Sequence, residues 1–244
     1  MRRQIIQFIV KLLRQRYHKD IVEIKDPFRD MKVLLAGRKV QVICDIGAHH
    51  GEMAIMFSTL YPSAIIYSFE PYSQSFASLK KNVKNNPKIQ PVHTAISSAN
   101  GTAELYINAQ DSSSALSATG EMGRKYQSWQ TETIGKEIVQ TTTLDSWGSQ
   151  NKIPEIHLLK LDIQGYELHA LRGAVQYLQS SVRLIYTEVE FVKIYNENCL
   201  YFELEQFLRE YGFELYQLYN LTSGEDGRLV TGDAIFIHRD RVTI

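Results

Sequence analysis

Residues 42–57 read VICDIGAHHGEMAIMF. An apolar run stops at Asp45, passes through Gly47-Ala48-His49-His50-Gly51, and resumes with helical spacing. A short buried strand, a glycine-bearing turn and a helix in immediate succession are how an open α/β sheet begins. Ligands of such sheets bind outside the carboxyl ends of the strands. Glycine lets the backbone approach a ligand closely, and the first turn of the next helix offers free N–H groups to an anion. The stretch therefore predicts a parallel sheet and the position of its ligand.

The chain on either side agrees. Val40–Cys44 reads as the first strand and His50–Leu60 as the helix behind it. Ala64–Phe69 is a second strand, Gln74–Asn85 a helix ended by Asn85-Asn86-Pro87, and Gln90–Ala95 a third strand. Residues 97–135 lose the alternation, reading as an insertion with a period-two segment at Thr102–Ile107 and a Ser/Gly/Thr-rich part at Asp111–Trp129. Order returns with strands at Ile138–Thr143, Ile156–Leu161 and Val182–Val189, and helices at Glu167–Leu178 and Tyr201–Tyr211. Phe213–Tyr219 and Asp233–His238, joined through Ser-Gly-Glu-Asp-Gly, read as a closing hairpin. The expectation is a Rossmann-like α/β domain over residues 37–244, mainly parallel with an antiparallel edge, behind a helical extension at 1–36.

Composition narrows the partners. The 244 residues carry 27 basic and 27 acidic side chains, so no global charge draws the chain to nucleic acid. Two cysteines, Cys44 and Cys199, fit no metal spacing and suggest a reducing, cytoplasmic setting. The leading segment MRRQIIQFIVKLLRQRYHKD is a basic amphipathic pattern, read as a cap or partner-facing helix, with peripheral attachment to an anionic membrane as the alternative. It is not read as a signal peptide, since Lys11 breaks its uncharged run and no small-residue cleavage site follows. Oligomeric state is not legible.

Glu70 ends the second strand roughly 20 residues past Gly47, the place of a carboxylate that accepts from ribose hydroxyls. The spacing of Gly47 and Gly51 is G-x-x-x-G, not the G-x-G-x-x-G of dinucleotide sites, which disfavours a nicotinamide enzyme. DIGAHHG together with FEPYSQSFASLKKNVKNN resembles the S-adenosylmethionine site of class I methyltransferases. LLKLDIQGYELHALRGA and the preceding TTTLDSW resemble the signature of the FkbM family, and the likeness runs from about residue 40 to 238.

That resemblance implies a seven-stranded sheet and methyl transfer from S-adenosylmethionine, usually to a hydroxyl of a sugar or natural product. It places the donor on Asp45, Gly47, Ala48, His49, Gly51, Glu70 and Pro71, with Ala95 and Ile96 at the adenine wall. Departures stand at His49, where the family commonly has Asn, at Ser98, and at Gln164, where it usually shows an acid. They keep open a second reading, a non-catalytic binder on the same scaffold.

Methyl transfer to a hydroxyl needs alignment and a base, or a metal that lowers the hydroxyl pKa. Asp162, ending a strand, is the first choice of base and Glu188 the second. The same two carboxylates are the candidate ligands if Mg²⁺ takes part. Glu167, Glu190 and Ser114 are candidate acceptor contacts, with Tyr126 and Trp129 as possible covers. Asp162-Ile163-Gln164-Gly165 is alternatively a helix-capping turn. A His49-His50 metal pair is not expected, because adjacent helical residues point about 100° apart.

Overall fold

The structure is a computed structural model that describes residues 9–11, 16 and 25–242. Most of the basic leading segment, and with it the membrane or partner reading, lies outside these. No helix among the described residues is long and apolar enough to cross a membrane.

Helix α1 (Pro27–Leu34) precedes β1 (Val42–Ile46), α2 (Glu52–Leu60), β2 (Ile65–Phe69), α3 (Ser73–Val83) and β3 (Ile89–Val92). The insertion contributes β4 (Ala95–Ile96), β5 (Gly101–Asn108), a 3₁₀ turn (Asp111–Ser113), α4 (Glu121–Tyr126) and β6 (Thr133–Thr142). There follow α5 (Leu144–Gln150), β7 (Leu158–Leu161), α6 (Glu167–Arg172), α7 (Val175–Ser180), β8 (Leu184–Glu190), α8 (Tyr201–Glu210), β9 (Phe213–Ser223) and β10 (Leu229–His238).

The main sheet has seven strands in the order β3-β2-β1-β7-β8-β10-β9. The neighbours from β3 to β8 run parallel, and β10 is antiparallel to both β8 and β9. The chain winds outward from β1 in one direction and from β7 in the other, so the crevice beyond β1 and β7 is the switch point where ligands bind.

Strand alternation splits the core between two faces. Cys44, Ile46, Leu159, Leu161 and Ile185 pack with Trp147, Leu171, Leu178, Leu204 and Leu208. Ile43, Ile66, Leu158 and Leu184 pack on the other face with Met31, Leu34, Ala54, Phe57 and Leu79. Burial on both faces explains why β1 and β7 read as nearly continuous apolar runs. Cys44 is a core side chain, as its surroundings in sequence suggest.

Three expectations shift. Ala95 and Ile96 do not end the third strand; they form β4, which pairs with β6 in a separate three-stranded sheet, β4-β6-β5. The helix expected over Glu167–Leu178 is two helices, because the chain turns at Gly173 where a Cβ would run into the Ser97 carbonyl. The Ser-rich part of the insertion carries a 3₁₀ turn and a short helix.

Candidate active site

At the tips of β1, β2 and β7 opens a cavity of about 190 Å³. Phe69, Ala95, Ile96, Leu105 and Leu116 give it apolar walls, while Gly47, His49, Glu70, Asp111, Asp162 and Gln164 supply polar edges. Ala48, Pro71, Ser112 and Ser114 also line it.

The turn after β1 is tight. Gly47 (φ 78°), His49 (φ 49°) and Gly51 (φ 96°) all adopt left-handed backbone, which glycine tolerates best. A Cβ on Gly51 would fall 2.7 Å from Leu79 Cδ1, so this glycine lets α2 approach α3; it does not line the cavity. The turn's own amides are largely spent. Gly47 N and Ala48 N donate to the Phe69 carbonyl (3.0 and 2.9 Å), and Gly51 N to the Ala48 carbonyl (2.8 Å). The first turn of α2, whose N–H groups have no partner within a helix, is left to face an anion.

Glu70 accepts from His49 N and from Tyr72 N, both at 2.8 Å, and so joins the turn after β1 to the start of α3. Burial pushes its carboxyl up to about 7 against those two N–H groups. Each oxygen keeps a lone pair for a ligand hydroxyl. Asp45 is fully buried beneath the cavity and does not line it. It lies beside Lys160 across the β1–β7 register, with Lys160 Nζ 3.1 Å from Asp45 Oδ1. Nζ also donates to the Gly47 carbonyl at 2.6 Å. Burial works against the ammonium, but Asp45 and Asp162 hold Lys160 above its ordinary value. Asp45 thus acts on the turn through Lys160, the loop-organising of its two expected roles.

The tip of β7 differs. The Asp162 side chain is about half exposed (48%), with Oδ2 3.8 Å from Lys160 Nζ. Gln164, itself left-handed at φ 58°, donates from Nε2 to Asp162 Oδ1 (3.0 Å) and Glu188 Oε2 (3.1 Å). Its Oε1 lies 2.8 Å from the hydroxyl of Tyr195, a fully buried residue that also reaches the Ser113 carbonyl at 3.0 Å. Burial, then the neighbouring Glu188, pushes the Tyr195 phenol upward, which keeps it a donor.

Glu188 is pushed well above the carboxylate range by burial first, then by Asp162 and Glu190. It also lies outside the cavity lining, which leaves Asp162 the better placed of the two carboxylates. The geometry does not favour magnesium: Glu188 lies outside the cavity lining, and Gln164 bridges it to Asp162 with one amide. Glu167 is buried and folds back on its own turn, accepting from Ile163 N at 3.0 Å; burial lifts it to about 7. Glu190 is buried and accepts from Asn198 Nδ2 and, at 3.4 Å, from Ile194 N. Both expected acceptor contacts thus hold loops in place and lie outside the cavity lining. Tyr126 donates to Asp226 Oδ2 (2.7 Å) on the β9–β10 hairpin, and Trp129 is exposed, so neither covers the cavity. Of the Ser112–Ser114 run, Ser112 and Ser114 reach it.

Sequence reasoning missed Lys160, Asp111 and Tyr195. Lys160 had a signal, a lone cation inside the apolar run LLKLD, which demands a buried carboxylate. Tyr195 had none, since a loop far along the chain delivers it.

The cavity suits the donor these motifs imply: an apolar slot for adenine, Glu70 for a ribose diol, and a helix start for a carboxylate. A switch-point cavity of this make, on a seven-stranded sheet with an antiparallel edge, defines a class I, S-adenosylmethionine-dependent methyltransferase. The family model for the Methyltransferase FkbM domain matches residues 45–215, and the chain belongs to that family. It is 28% identical over 194 residues to 2-O-methyltransferase NoeI of Sinorhizobium fredii, covering 75% of this chain and 79% of that one. It is 27% identical over 149 residues to hexuronic acid methyltransferase AglP of Haloferax volcanii, covering 61% of this chain and 55% of the relative. Among solved structures, the METTL16 methyltransferase domain superimposes with a TM-score of 0.51 at 14% identity, covering 96% of this chain and 80% of that one, a likeness of fold alone.

Proposed function

We propose that this methyltransferase acts on a hydroxyl of a sugar, with Asp162 as the base. The observation that carries the reading is Asp162 itself: a half-exposed carboxylate that borders the cavity. NoeI and AglP, by their names a 2-O- and a hexuronic acid methyltransferase, support the acceptor class.

S-adenosylmethionine supplies the methyl group when bound. The chain holds the donor at Gly47, His49, Glu70 and the first turn of α2, with Ala95 and Ile96 against the adenine. Lys160 fixes the Gly47 carbonyl and stands near Asp162. Gln164 keeps one Asp162 oxygen engaged through its amide, leaving the other to take the acceptor proton as the oxygen attacks. Glu188, raised by desolvation and by the neighbouring carboxylates, shares the Gln164 amide with Asp162.

Transfer of a labelled methyl group to a panel of glycosides, uronosides included, tests the acceptor. Turnover confined to non-carbohydrate acceptors would end the sugar reading, and binding of S-adenosylhomocysteine without turnover on any acceptor would favour the non-catalytic binder. Peripheral attachment through residues 1–20 is a separate proposal: liposome flotation with and without that segment should differ, and equal flotation removes it.

A further inference from the structure

The turn that carries His49 and His50 has a property that methyl transfer does not use. His49 is left-handed and precedes α2, so the expected divergence of helical neighbours does not apply. The two rings stack instead, with centroids 3.6 Å apart and planes at 23°. Both meet one carboxylate from the 3₁₀ turn of the insertion: His49 Nε2 is 3.0 Å from Asp111 Oδ1, and His50 Nε2 is 3.1 Å from Asp111 Oδ2. Glu52 stands on the other side, Oε2 4.0 Å from His49 Nδ1. One ligand atom from each of His49, His50 and Glu52 lies within 4.8 Å of the others. His49 Nε2 is enclosed and makes no hydrogen bond, although the aspartate is so near.

We propose that His49, His50 and Glu52 form a site for a divalent transition-metal ion of the zinc type, with Asp111 standing against the far nitrogens of both imidazoles. Imidazole nitrogens with carboxylate oxygens are the donor set of such an ion, and they do not suit magnesium. Glu52 supplies the anionic ligand, and Asp111 is the outer carboxylate that orients the two rings. The four side chains are between 27% and 69% exposed, so an ion reaches them from solvent without opening the fold. Through the imidazoles the ion is coupled to the insertion's Asp111 at the border of the cavity, and the site stands whether or not the acceptor is a sugar.

The test is titration of the full-length protein with Zn²⁺ against a chromophoric indicator of micromolar affinity. One equivalent should bind in competition with the indicator. Affinity should fall by about tenfold or more in both His50→Ala and Asp111→Asn. Circular dichroism and melting curves establish that the variants fold. Should either fail to fold, imidazole ¹⁵N shifts of the wild type give the second readout, with the His49 and His50 resonances moving on addition of Zn²⁺. Absence of competition, undiminished affinity in both folded variants, or unmoved histidine resonances would overturn the site.

Discussion

The tip of β1–β2 and the tip of β7–β8 both gather carboxylates, and they hold them with different partners. At the first, Asp45 meets Lys160, and Glu70 accepts from two backbone N–H groups. At the second, Asp162, Glu167, Glu188 and Glu190 crowd together, and burial pushes the last three upward toward their protonated forms. At the first tip a lysine and backbone N–H groups face the carboxylates, although burial lifts Glu70 to about 7 there too. At the second the carboxylates mainly face one another. Only Asp162 in that group is open to the cavity.

The largest effect that sharpens this contrast is Asp162→Asn. Labelled-methyl assays should show turnover down by about 10²–10⁴-fold, the range of a positioned base, while calorimetry shows S-adenosylhomocysteine affinity changed only a few-fold. An active variant would leave Asp162 as a turn residue. Lys160→Met tests the other tip. It strands a fully buried carboxylate, and denaturant unfolding should show a loss of about 3–5 kcal/mol. A loss no larger than that of a surface substitution would mean that the Asp45–Lys160 pair does not hold the turn.

Glu188→Gln should move stability the other way. A carboxyl raised in the folded state binds its proton more tightly there than in the unfolded chain. Its stabilisation is therefore complete below about pH 4, the unfolded value, and drains away as pH climbs through the raised folded value. Glutamine, uncharged throughout, should raise the melting temperature at pH 8 and leave it nearly unchanged at pH 4. Equal shifts at both would mean that Glu188 is not protonated in the fold. The smallest effect is expected of Tyr195→Phe, which removes one hydrogen bond worth about 1 kcal/mol. Its signature is a lowered kcat with KM little altered, because Gln164 loses the partner that orients its amide toward Asp162. A change in KM alone would reduce Tyr195 to packing.

How legible each tip was in the sequence follows from the same contrast. The donor turn announces itself because left-handed backbone at Gly47 and Gly51 must be encoded locally, by glycine. Asp162 was visible as the end of an apolar run. The Asp45–Lys160 pair depends on which strands become neighbours, a fact of register that no local window holds, although a lysine among leucines hinted at it. Glu190 misled for a related reason: its place at a strand end suggested a ligand, whereas the loop bearing Asn198 folds back to enclose it. The stacking of His49 on His50 was not legible because the turn, left-handed at His49, precedes the helix that begins at Glu52.

β4 has only two residues, yet it belongs to two structures at once. Ala95 and Ile96 form part of the cavity's wall and pair with β6 along the edge of the small sheet. The inserted segment is accordingly no detachable ornament. An engineer who swaps it has to splice beyond Ile96 and keep a strand for it to lean on, or the graft will take one wall of the cavity away.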